Sequence, residues 1–163
     1  MSIICYEVRI FKEEADMYTY GSIYLIAKDF DKSISFYRAL FERDVLDQNK
    51  NRFAVFDING LTLSIMNGTF DREHSDEVVT KGEYCALYDD YEPIIAAPNC
   101  GKVVINLRIE DLRAEYERVK SLNIAADLTK IRYINARNPY YYFCLKDPDG
   151  NTIEITGNYE GEL

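Results

Sequence analysis

The chain predicts an α+β fold made of two βαβββ modules whose mixed sheets curve around a central cavity. Three observations carry that prediction. The stretch Phe143 to Ile155 reads strand, tight turn, strand, and the same pattern stands 90 positions earlier at Phe53 to Ile65, with Gly60 under Gly150 and Ser64 under Glu154. A second correspondence, shifted by 82, pairs Ser22–Leu25 with Val104–Leu107, Asp29 with Asp111, and Ile34, Tyr37 and Leu40 with Tyr116, Val119 and Leu122. Within each copy the apolar period changes from two residues to a helical stripe and back to two. A repeat of this kind decides the architecture before any single element does. It divides the chain into repeats at 21–67 and 102–157, joined by 68–101, within one domain spanning 21–163.

Taken in order, residues 1–20 carry Ile3, Cys5, Val8 and Ile10 before a charged turn at Lys12–Asp16. They lie outside the repeat and read as an edge strand or an arm touching a second copy. Ser22 to Lys28 alternates as a strand, with Ile23, Leu25 and Ala27 on one face and Ser22, Tyr24 and Ile26 on the other. Asp29 is placed to cap a helix whose stripe is Phe30, Ile34, Tyr37, Leu40 and Phe41. From Gly68 to Gly101 the periodicity lapses, which predicts a linker with some lid-like structure. His74, the chain's sole histidine, sits there in a run of charges and reads as a solvated loop residue, since a metal needs several converging ligands.

The second copy opens with Val103 to Ile109. Val103, Ile105, Leu107 and Ile109 form an apolar face, and Val104, Asn106 and Arg108 form the other. Asp111 caps a helix with Leu112, Tyr116, Val119 and Leu122 on its stripe, and Asn123 stands where a left-handed terminator is expected. A long connection holds Arg132, Tyr133, Arg137 and Tyr140 to Tyr142. Pro148 and Gly150 then shape the last turn, and Glu154 faces away from Ile153 and Ile155.

Bulk properties exclude several functions. With 163 residues and 47% hydrophobic content, the chain can bury a substantial core. A net charge of −9 argues against nucleic acid and against anionic membrane surfaces, which want a basic face. It leaves a small molecule, cationic or neutral, as the expected partner. The start of the chain lacks the order of a secretory signal, and no apolar run is long enough to span a bilayer. The four scattered cysteines (Cys5, Cys85, Cys100, Cys144) form no C-x-x-C pair, so free thiols in the cytoplasm are expected.

If each helix covers the apolar side of its sheet, the opposite faces collect Ser22, Tyr24, Ser64, Met66, Val104, Asn106, Arg108, Tyr142 and Glu154. That mixture of aromatic and polar groups around one carboxylate suits a ligand cavity. The alternative is a solvated surface on which Glu154 merely pairs with Arg108.

Asp29–Tyr37 (Asp-Phe-Asp-Lys-Ser-Ile-Ser-Phe-Tyr), the paired modules and the Asp147-Pro-Asp-Gly-Asn-Thr-Ile-Glu154 ending resemble the vicinal oxygen chelate superfamily. That group includes glyoxalase I, bleomycin-resistance proteins and extradiol dioxygenases. The resemblance runs from Gly21 to Gly157. It implies metal-ligand positions at Ser22, Ser64, Val104 and Glu154, of which Glu154 alone is a competent ligand. No divalent metal or other cofactor is therefore expected, and glyoxalase-type isomerisation and extradiol cleavage lose the metal they rely on.

The resemblance then implies the metal-free, bleomycin-resistance type, a homodimer that sequesters a small molecule such as an antibiotic in a groove shared by two subunits. One rival reading is a lyase or isomerase with Glu154 as general base or metal ligand. Another is an interaction module whose hollow is filled by its own side chains.

Overall fold

The structure, a computed structural model, describes residues 21–77, 91–99, 103–134 and 140–160. The arm expected at 1–20 lies outside them. The first module runs β1 (Ile23–Ala27), α1 (Phe30–Phe41), β2 (Asp47–Asn49), β3 (Phe53–Ile58) and β4 (Leu61–Asn67). A connection follows with two short helical pieces, α2 (Phe70–Glu73) and α3 (Glu92–Ala96), and a 3-10 turn at Ser75–Glu77. The second module runs β5 (Val104–Asp111), α4 (Leu112–Leu122), β6 (Arg132–Ile134), β7 (Tyr140–Lys146) and β8 (Thr152–Asn158). Each module forms a four-stranded mixed sheet, ordered β1-β4-β3-β2 and β5-β8-β7-β6. The parallel pairs are β1 with β4 and β5 with β8. The two modules thus carry the same topology, as the repeat requires.

Local chemistry explains the boundaries. Asp29 and Asp111 cap α1 and α4, their carboxylates accepting from Lys32 N at 3.0 Å and Ala114 N at 2.9 Å. Each satisfies an amide that the first helical turn leaves without a partner. Both helices end in the left-handed conformation, at Glu42 and Asn123, each with φ 51°. Gly60 (φ 92°) and Gly150 (φ 81°) take the positive φ that the two hairpin turns demand. Gly157 on β8 answers a close approach instead: a Cβ there would collide with the Ile109 carbonyl oxygen. The β5–β8 register also shifts between Ile109 and Asp111.

The inner faces of both sheets and both long helices feed one hydrophobic core. Tyr37, Ala54, Phe56, Ile65, Leu112, Val119, Phe143, Leu145 and Ile153 are fully buried in it. Two polar devices bind the modules together. Arg118 on α4 donates to the carbonyls of Ala39 (3.1 Å) and Leu40 (2.7 Å) at the end of α1, while Glu115 and Glu42 balance its charge. At the other end, the β7–β8 turn clasps the start of α1. Buried Asp147 accepts from Tyr37 Oη at 2.7 Å, Asn151 Nδ2 at 2.8 Å, and the amides of Asp149 and Asn151. Asp149 accepts from the Lys28 amide and the Ser33 hydroxyl, both at 2.8 Å. No helix among the described residues is long and apolar enough to cross a membrane.

Candidate functional site

Strand alternation and register place the predicted site residues. On the first sheet, Ile65 and Leu63 point into the core, so Ser64 and Met66 face outward beside Tyr24. Tyr24 meets Phe53 edge-on, with centroids 6.5 Å apart. Ser64 is 1% exposed beneath these residues, and its hydroxyl has no hydrogen-bond partner among the described residues. Ser22 is exposed just ahead of β1.

On the second sheet, Val104, Asn106 and Arg108 share the outer face with Glu154 and Tyr142, because Asn106 pairs with Glu154 and Arg108 with Thr156 across the ladder. The Glu154 carboxylate is half-buried and held by neutral donors. Its Oε1 accepts from Asn106 Nδ2 at 2.7 Å and Tyr140 Oη at 2.9 Å, and Asn106 also donates to Tyr140 at 3.1 Å. Among the described residues nothing reaches Oε2. The expected alternative, an ion pair with Arg108, is not formed.

Both inner faces serve the same core, and the predicted residues fall on two outer faces, one to each sheet. Ser22, Tyr24, Ser64 and Met66 belong to one, and Val104, Asn106, Arg108, Tyr142 and Glu154 to the other.

Residue-level reasoning missed four groups on the second face. Tyr140 is the chief one, and Cys144, Lys146 and Arg132 accompany it through the β6–β7–β8 register. The signal was present, because stepping by two from Tyr142 reaches Tyr140, Cys144 and Lys146. Burial first, and then the nearby Glu154 carboxylate, push the Cys144 thiol up, so it is a poor nucleophile.

A separate open depression of about 890 Å³ sits at the start of α1, lined by Lys28, Asp29, Lys50, Asn67, His74 and Asp149 among others. Two of its acids are committed to structure, Asp29 as helix cap and Asp149 in the clasp. His74 corrects the expectation of a solvated loop residue. It is half-buried at the end of α2 and stacked on Phe70 at 4.2 Å, with Nδ1 3.0 Å from the Phe70 carbonyl oxygen.

With this geometry in place, comparison with known proteins gives a clear answer. The model of the Glyoxalase/Bleomycin resistance protein/Dioxygenase superfamily matches residues 19–155. The chain belongs to that superfamily. Its fold is also that of three solved members, at low identity. A lactoylglutathione lyase from Agrobacterium tumefaciens is 15% identical, with 86% of this chain and 93% of that one covered at a TM-score of 0.56. The fosfomycin resistance protein FosX from Listeria monocytogenes is 18% identical, covering 88% and 95% at 0.56. A bleomycin resistance determinant encoded on the transposon Tn5 is 17% identical, covering 88% and 100% at 0.54. Among curated proteins none matches this chain.

The superfamily's metal-ligand positions, carried onto this chain, do not suit a divalent cation. Val104 has no donor atom, Ser22 and Ser64 offer neutral hydroxyls, and Glu154 is the one charged ligand. Among the described residues no three His, Cys, Asp or Glu side chains converge as a metal set.

Proposed function

We propose that this superfamily member is a metal-free small-molecule-binding protein that sequesters its ligand, an antibiotic being one such ligand, in a groove shared by two copies of the chain. The observation that carries the reading is Glu154. Its Oε1 is fixed by Asn106 and Tyr140 while Oε2 has no partner among the described residues, so a preset acceptor stands on an aromatic-rich face. Preorganised acceptors favour binding because little ordering remains to be done when the ligand arrives.

A homodimer fits the same reading. The edge strands β1 and β5 leave apolar surface open in one chain, with Ile23 53%, Tyr24 49%, Val103 65% and Val104 48% exposed. A second copy set edge to edge would bring a Tyr24–Ser64 face against a Glu154 face and cover this apolar surface. The buried, partnerless Ser64 hydroxyl would then sit in the wall of the groove.

The test is a thermal-shift screen of the purified full chain against a broad panel of small molecules, bleomycin and fosfomycin included. A binder raises the melting temperature in proportion to its saturation, and Glu154→Gln loses most of that rise. A panel that leaves the wild-type transition unmoved sinks the binding role. Near-stoichiometric Ni, Zn, Mn or Fe in the purified protein sinks its metal-free character.

A further inference from the structure

Three cationic side chains stand near Glu154 in a molecule that is acidic overall. The chain carries −9 overall, yet among the described residues the second sheet's outer face sets Arg108, Arg132 and Lys146 around Glu154. Register fixes their spacing. Arg108 lies on one diagonal of Glu154, next to Thr156, and Lys146 lies on the other, next to Thr152. Arg132 ends the row that runs Arg108, Thr156, Tyr142, Arg132 across all four strands. Neighbouring strands are about 5 Å apart and same-face residues about 7 Å apart along a strand, so all three long side chains can reach the space above Glu154.

None of the three uses that reach to pair with it. Glu154 takes its hydrogen bonds from the neutral Asn106 and Tyr140. Lys146 donates to the Thr152 hydroxyl at 2.7 Å, and among the described residues Arg108 and Arg132 form no ion pair. Here the carboxylate is occupied by neutral donors and the cations are left over.

We infer that the ligand of this face is a small organic acid, with a phosphonate, phosphate or carboxylate group received by Arg108, Arg132 and Lys146. The inference rests on the proposed binding role and names the ligand's charge. Guanidinium groups suit such an acid because their planar forks match its oxygens two at a time. The local cationic field would also draw an acid toward this face against the repulsion of an acidic molecule.

The experiment titrates the full-length protein with three aromatic probes of similar size: phenylphosphonate, benzoate and benzyltrimethylammonium, followed by calorimetry. Phenylphosphonate or benzoate, or both, should bind saturably, and whichever is tighter identifies the acid group. Arg108→Gln and Arg132→Gln should each weaken that binding by roughly tenfold. Arg113→Gln, an equal charge change at an exposed position on α4, should leave it unaltered. Melting curves of the three variants confirm that each is folded. Acid binding that Arg108→Gln and Arg132→Gln weaken no more than Arg113→Gln overturns the assignment. Binding of benzyltrimethylammonium alone, lost in Glu154→Gln, overturns it while leaving the binding role standing. Silence from all three probes counts against both.

Discussion

Asp147 shows what a single residue does in this fold. It is 3% exposed, and a buried carboxylate is costly unless donors surround it. Four do: Tyr37 Oη, Asn151 Nδ2 and two turn amides. Burial, and then the Asp147 charge, hold the Tyr37 hydroxyl protonated and donating far above the usual phenol range. Tyr37→Phe keeps the ring and removes one donor, so stability should fall by about 2 kcal/mol, read from urea unfolding midpoints. An unchanged midpoint would show that the clasp does not depend on this bond. Asp149 next to it gives a pH signature. Burial chiefly pushes its carboxyl above the ordinary range, so the fold favours its neutral form. Its contribution is fully present below the unfolded value of about 3.9 and is lost as pH rises through the higher folded value. Asp149→Asn does not titrate there and keeps an acceptor for the Lys28 amide. Relative to wild type, the variant should therefore gain stability as pH rises from below the unfolded value through the higher folded one, and a flat difference would refute the shift.

At the scale of elements, the short-range signals were the legible ones. Asp29, Asp111 and Asn123 end their helices as their chemistry requires, because capping is settled within three or four residues. Alternation likewise put Glu154 opposite Ile153 and Ile155. Gly157 was not legible, since its neighbour is Ile109 on another strand, 48 positions away in the chain. Gly157→Ala should force β5 and β8 apart and cost about 1–3 kcal/mol, measured by denaturant unfolding. A variant as stable as wild type would mean that the β5 bulge absorbs a methyl group. The α1–α4 bridge through Arg118 was equally hidden, because a charged helix residue ordinarily faces water. Here the Glu115 carboxylate, hydrogen-bonded to it, raises the guanidinium's already high pKa, and the remaining donors are free to reach Ala39 and Leu40.

At the scale of the whole molecule, the two sheets share one hydrophobic core, and in the proposed reading a second copy completes the groove. Light scattering coupled to gel filtration should find the full chain as a dimer at micromolar concentration. Tyr24→Glu with Val104→Glu, placing charges on both edge strands, should yield a folded monomer that has lost its ligand response. A wild-type monomer that still binds ligand would rule out the shared groove.

By itself the sequence determined the duplication, the order of strands and helices, their caps and the face each strand turns inward. All of these depend on neighbours a few residues apart or on a repeat visible along the chain. Tertiary structure decided that Asp147 and Asp149 of the Asp-Pro-Asp-Gly-Asn turn fasten one module to the other, and that Tyr140 rather than Arg108 meets Glu154. Those outcomes are set by side chains brought together across strands and modules, where small differences in reach choose among several possible partners, and no local pattern encodes that choice.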